Sequence, residues 1–203
     1  MKRVGVLALQ GDVPEHAAAL AELIPRAAVR HVRGPADLDA VDGLLLPGGE
    51  STTMSRLLQS EGLDRALVRR ARDGLPILAT CAGLILAARS LEPSPSGRDP
   101  EPLGLLDVRV RRNDYGRQRE SFEAPVTVEG LAGGPFPGVF IRAPRILGLG
   151  SGAHPIARRE EEVVGVRTGM IWGLAFHPEL AHDPRLLRQF LATSGLLGPG
   201  ASR

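Results

Sequence analysis

Cysteine, lysine and aromatic side chains are scarce in this chain of 203 residues: Cys81 is the sole cysteine, Lys2 the sole lysine, and Phe, Trp and Tyr together make up 3%. One cysteine closes no internal disulfide and leaves no Cys-based metal site, which points to a reducing compartment, the cytoplasm by default. No stretch approaches the roughly 18 apolar residues of a membrane span. The apolar run at residues 4–9 ends in Gln10-Gly11-Asp12 and is too short for a signal peptide. Nearly all cations are arginines interspersed among 23 acids, for a net charge of +2, so no concentrated basic stripe offers itself to nucleic acid. Neither a G-x-G-x-x-G nor a G-x-x-x-x-G-K-[ST] run occurs, and no nucleotide cofactor is indicated.

What is present is ordinary globular material, 43% apolar and 24% charged, with packing left to Leu, Val, Ala and Ile. The length suits one domain over residues 1–203, able to bury about 70% of its unfolded surface. Residues 4–9 read as a continuous apolar strand covered on both faces, and further strands are expected at 28–32, 43–46 and 76–79. Helices are expected from Asp12, with Glu15 at capping-box spacing, to about Ile24, and across residues 54–59 and 63–72. This alternation argues a doubly wound α/β sheet with right-handed crossovers. Residues 92–102 are rich in Pro, Ser and Gly and read as a surface loop. Beyond them, short runs at 105–111, 122–128, 139–142, 163–168 and 171–176 suggest hairpins and mixed strands. A last helix spans about 184–193, and residues 194–203 read as a frayed tail.

Three features carry chemistry. Thr80-Cys81-Ala82-Gly83 follows one apolar strand and opens a helix, so the Cys81 thiol stands at a sharp turn beside unpaired N–H groups that favour a thiolate and could hold an oxyanion. His177-Pro178-Glu179 lies just past the strand at 171–176. In an extended segment residues two apart face the same way, which sets the Glu179 carboxylate beside the His177 ring to fix its tautomer and stabilise its cation. Pro47-Gly48-Gly49-Glu50 ends a third strand at the carboxyl edge where open α/β sheets hold ligands, and its glycines let an amide be aimed inward. His16, His31, His154 and His182 have no partner at diagnostic spacing and read as surface or structural. Trp172 and Tyr115 read as packing.

This combination resembles the class I glutamine amidotransferases. The likeness sharpens at Leu9-Gln10-Gly11, Leu46-Pro47-Gly48-Gly49-Glu50-Ser51-Thr52-Thr53-Met54, Thr80-Cys81-Ala82-Gly83-Leu84-Ile85, Gly116-Arg117-Gln118, Ser121-Phe122-Glu123-Ala124, Phe140-Ile141-Arg142-Ala143-Pro144 and Phe176-His177-Pro178-Glu179-Leu180. Taken in order over positions 9–180, the set is similar to the glutaminase subunits of pyridoxal 5'-phosphate synthases.

The resemblance implies a three-layer fold, a mostly parallel central sheet flanked by helices, and hydrolysis of L-glutamine to L-glutamate and ammonia. No cofactor and no metal are implied. By the same likeness Cys81 is the nucleophile, His177 the base and acid, and Glu179 its orienter. Gly49 and Ala82 supply the oxyanion hole, and Gly48, Gly49, Glu50, Arg112, Ile141 and Arg142 hold the substrate. Gln10 lies near the contact with a barrel-shaped synthase subunit that receives the ammonia, in an assembly of twelve plus twelve. The long Pro-rich loop at 92–102 and Pro14 at a helix start depart from the family pattern. Two other readings stand beside this one: the glutaminase of another amidotransferase such as imidazole glycerol phosphate synthase, and a non-catalytic stress or chaperone-like protein of the cysteine-elbow superfamily.

Overall fold

The computed structural model describes residues 1–112 and 121–197. Gly116-Arg117-Gln118, Tyr115 and the end of the expected tail lie outside the described residues.

Four runs, apolar but for Thr80, form the heart of the sheet: β1 (Val4–Leu7), β3 (Gly43–Leu46), β4 (Ile77–Thr80) and β12 (Ile171–Leu174) are buried at every residue. Their lack of alternation is what burial on both faces selects. With β2 (Val29–Val32) they make a parallel block in the order β2-β1-β3-β4-β12, as expected of a doubly wound fold. The sheet then continues antiparallel through β11 (Glu162–Thr168), β10 (His154–Arg159), β7 (Phe122–Val128) and β8 (Phe136–Phe140) to nine strands. A small second sheet joins β5 (Ala88–Leu91), β6 (Leu106–Arg111) and β9 (Arg145–Leu149).

Among the described residues six α-helices accompany these strands: α1 (Val13–Ala21), α2 (Pro35–Asp39), α3 (Ser51–Ser60), α4 (Leu63–Arg72), α5 (Ala82–Ala87) and α6 (Arg185–Thr193). α1 packs on β1 and β2, and α5 on β3, β4 and β12. None is long and apolar enough to cross a membrane.

Several elements differ from the sequence reading. α5 has only six residues and runs directly into β5, and α2, β5, β9 and β10 were not expected. The loop after β5 packs against α3: Ser55 Oγ accepts from the Glu101 N–H at 3.2 Å, and Gln59 Nε2 donates to Glu101 at 3.1 Å. Nor does the described part of the expected tail fray. After α6, Gly195 adopts φ +65° and the chain closes with Leu196 N–H on Leu191 O at 2.8 Å and Gly195 N–H on Ala192 O at 3.1 Å, a Schellman closure. Its apolar contact is Leu196, 3% exposed and seated directly over Gly43 of β3, where a Cβ would come within 2.5 Å of its Cδ1. Truncating this side chain, Leu196→Ala, is expected to cost about 2–4 kcal/mol by urea denaturation, in the range of buried leucine deletions. A change under half a kilocalorie would return the segment to a tail.

Candidate active site

The carboxyl ends of β3, β4 and β12 deliver the three expected segments to one place. Cys81, directly after β4, has φ 49° and ψ −104°, a region that non-glycine residues occupy only when the surroundings compel it. Here they do: the Cys81 N–H donates to Leu174 O at 2.9 Å, its carbonyl accepts from Ile85 N–H at 3.2 Å, and Gly83 lies so close to Leu46 O that a Cβ would approach it to 2.2 Å. The turn is thus pinned to β12 and pressed against the end of β3. Its sulfur sits 3.8 Å from Ile141 O, just beyond β8.

His177 follows β12 and donates its backbone N–H to Val139 O of β8 at 2.9 Å. Its ring Nδ1 lies 2.7 Å from Glu179 Oε1, and since an ionised carboxylate only accepts, Nδ1 carries the proton and Nε2 is left for the sulfur. The juxtaposition expected from an extended segment is achieved by a different route. Pro178–Leu180 forms a 3-10 turn that brings Glu179 back under the ring. Burial opposes a charge on His177, but the Cys81 sulfur and the Glu179 carboxylate outweigh it and raise the ring to about 10. Burial likewise pushes Glu179 up, and His16 and His177 more than reverse this, so its side chain, only 1% exposed, stays below the usual carboxylate range.

Two residues that the sequence reading left aside complete this core. Asp12 was expected to cap α1; its side chain makes no capping hydrogen bond and instead sets Oδ2 3.4 Å from His177 Nδ1. Burial raises its pKa, His177 working the other way. His16, in α1, is 1% exposed, with Nε2 3.0 Å from Thr80 Oγ1 and 3.5 Å from Glu179 Oε1. The signal was its i, i+4 pairing with Leu20, the other buried residue of that helix. His31, His154 and His182 are exposed. Asp12, His177 and Glu179 bring donor atoms within 4.8 Å of one another. Nδ1 and Oε1 are already at hydrogen-bond distance, so the arrangement is that of a shared proton.

Beside the sulfur opens a cleft of about 290 Å³ lined by Gly49, Glu50, Ala82, Arg112, Ile141 and Arg142, with Asp12 and His177 at its wall. Gly48 is not in the lining; it stands behind the ring, where a Cβ would meet His177 Cε1 and Asp12 Oδ2 at 2.5 Å. Gly49, at φ +153°, occupies a conformation that L side chains rarely adopt. The next peptide is held from below, the Glu50 N–H donating to Gln10 Oε1 at 2.8 Å. The Glu50 carboxylate caps α3 through the Thr52 and Thr53 N–H groups at 3.1 and 2.6 Å. Burial works against its charge, but these two threonines take its pKa down to about 2. Arg112 spans Glu50 at 3.6 Å, Asp99 at 3.1 Å and Thr52 Oγ1 at 3.2 Å, and donates to Arg98 O at 3.0 Å. The Pro-rich loop therefore reaches the rim of the cleft. Trp172 is buried edge-on against Phe190 at 5.7 Å and serves packing.

Comparison with known proteins gives the chain its relatives. The chain is 50% identical over 196 residues to the pyridoxal 5'-phosphate synthase subunit PdxT of Thermococcus onnurineus (strain NA1), covering 94% of this chain and 98% of that one. It is also 50% identical over 187 residues to the subunit of the same name from Streptomyces coelicolor, covering 92% and 91%. A solved structure described as a glutamine amidotransferase superposes with a TM-score of 0.86 at 44% identity over 95% of this chain and 98% of that one. The model of the SNO glutamine amidotransferase family matches residues 6–194, and the chain belongs to that family.

Proposed function

We propose that this chain hydrolyses L-glutamine through Cys81, His177 and Glu179 and passes the ammonia to a synthase subunit that builds pyridoxal 5'-phosphate. The observation that carries the reading is the His177 ring, with a buried carboxylate on Nδ1 and the Cys81 sulfur as its other partner, beside a cleft of about 290 Å³. Family membership and relatives named as synthase subunits support the destination of the ammonia.

The chemistry follows from the arrangement. With the proton on His177, the Cys81 thiolate attacks the side-chain carbonyl carbon of glutamine, and the carbonyl π electrons move to oxygen. The amides of Gly49 and Ala82 hold that oxyanion; the first N–H groups of a helix have no partner within it, so the Ala82 donor is available. His177 gives its proton to the departing nitrogen, the C–N bond breaks, and a γ-glutamyl thioester and ammonia result. Water, deprotonated by His177, adds to the thioester. The C–S bond then breaks, releasing glutamate and returning the thiolate facing the imidazolium. Glu50 meets the α-ammonium, and Arg112 with Arg142 the α-carboxylate, as charge complementarity requires. The partner is a barrel-shaped synthase docking on the rim that carries Gln10, in an assembly of twelve plus twelve, and the setting is the cytoplasm.

Cys81→Ala is expected to abolish ammonia release, measured with the synthase subunit present, while the variant remains folded; unchanged turnover would remove the nucleophile. Gly48→Ala, whose Cβ lands on the ring, should lower kcat about 100-fold, the cost of misplacing a catalytic group by about an ångström; wild-type turnover in that variant would show that the ring has room to shift. The proton on His177 also sets a pH signature. Its folded value of about 10 lies above the ordinary 6.5. The stability that its charge contributes is therefore complete below 6.5 and is lost as pH rises through 10. In Cys81→Ala the ring loses its anionic neighbour, and its NMR titration midpoint should fall; a midpoint that stays put would show that sulfur and ring do not interact.

A further inference from the structure

Outside the triad, one buried polar group touches the end of β4 and the segment after β12, and through Thr80 it is linked to the end of β3. His16 projects from α1, 1% exposed, to a point where Nε2 lies 3.0 Å from Thr80 Oγ1 and 3.5 Å from Glu179 Oε1. Thr80 Oγ1 is in turn 3.5 Å from Leu46 O, to which it donates. Thr80 is the residue before the nucleophile, Leu46 the last residue of β3 before the diglycine turn, and Glu179 the orienter of His177.

The tautomer of His16 follows from its surroundings. A lone pair on Nε2 would face the Glu179 carboxylate oxygen at 3.5 Å, anion against lone pair in a site without solvent, whereas an N–H there presents its positive end. Thr80, already donating to Leu46 O, needs a donor and finds one in the same N–H. His16 is therefore neutral, with its hydrogen on Nε2. Burial lowers its basicity, and the charged or titratable groups facing it are Glu179 and His177 from the segment after β12, and Asp12 and Glu15 from the start of its own helix.

We propose that His16 is a positioning residue for the reaction: its Nε2–H, hydrogen-bonded to Thr80 and turned toward Glu179 Oε1, keeps that carboxylate ionised and aimed at His177, and locks the thiol-bearing strand end to the imidazole-bearing one. This rests on the triad reading given above. Because Oε1 is the very oxygen that accepts from His177 Nδ1 at 2.7 Å, any rotation of the Glu179 carboxylate tilts the catalytic ring. The Nε2–H of His16, 3.5 Å from the same oxygen, opposes that rotation.

The test uses the full chain with its synthase subunit, assayed for ammonia release. His16→Leu, close in volume but without a donor, is expected to lower kcat tenfold or more, on the scale of lost outer-sphere hydrogen bonds, while KM moves less than about twofold. His16→Gln, which restores an N–H at similar reach, should recover most of kcat. Retention of kcat by His16→Leu overturns the proposal. So does an equal fall in the folded Gln and Leu variants, which would make His16 packing alone. Should neither variant fold, ¹⁵N-imidazole spectra of the wild-type protein at neutral pH decide. A neutral Nε2–H ring whose signal shifts when Cys81 is alkylated supports the proposal, and an Nδ1–H or doubly protonated ring overturns it. Full activity in Cys81→Ala would instead remove the triad reading itself, a result separable from any outcome at His16.

Discussion

A carboxylate carried out of water beneath an imidazole is the interaction on which the rest of this structure depends. Glu179 has 1% of its side chain exposed, and an uncompensated charge at such depth costs several kilocalories per mole in practice. Its compensation comes from His177 at 2.7 Å and the Nε2 edge of His16 at 3.5 Å. Each of these rings is itself fixed elsewhere, His177 through its backbone N–H to β8 and His16 through Thr80 at the end of β4. The electrostatics of one buried group thus dictate how α1, β4, β8 and the segment after β12 meet. The strained backbone at Cys81 is tolerable in that setting, because hydrogen bonds to β12 and within the following turn hold both of its flanks.

Much of this was legible in the sequence, and the reasons are specific. β1, β3, β4 and β12 were readable because strands buried on both faces are almost wholly apolar, Thr80 at the end of β4 being the exception. The candidate-site segments were readable because each directly follows such a strand, and a doubly wound sheet sends all those ends to one edge. The alignment of His177 with Glu179 was anticipated from an extended chain and is made by a 3-10 turn, so the contact was right and the backbone path was not. The strands that escaped notice are irregular. β10 starts at His154-Pro155 and slips register against β11 twice, and β9 slips once against β6. Bulges break the two-residue alternation on which strand recognition rests. α2 has five residues and shows no helical period. Asp12 and His16 escaped for a different reason. Aspartate at a helix start is ordinarily a cap and histidine ordinarily a surface residue, and only the packing of α1 against Glu179 gives them another task.

The two halves of the site are built on different principles. Around the sulfur and the ring, positions are fixed by buried strand ends, by Gly48 with no room for a side chain, and by the Gln10 clamp on the Glu50 amide. Around the remainder of the cleft, Glu50 and Arg112 are already paired with their neighbours. Arg112 bridges Glu50 and Asp99, and Glu50 caps α3. A carboxylate has about four acceptor positions, and Glu50 fills two with the Thr52 and Thr53 amides, which leaves capacity toward an ammonium group.

The same accounting explains why Glu50 can be partly exposed, its side chain 47% accessible, and still hold one orientation. An exposed carboxylate ordinarily samples several rotamers and gains little from a single ion pair. Two backbone N–H groups at the first turn of α3 bind it with directional, charge-assisted hydrogen bonds. They fix its rotamer before any ligand arrives, and Arg112, at 3.6 Å, adds charge without dictating geometry. A group so held presents its remaining lone pairs to the cleft at no further cost in side-chain entropy. That makes the exposed half of the site as preorganised as the buried half, by capping in one case and by packing in the other.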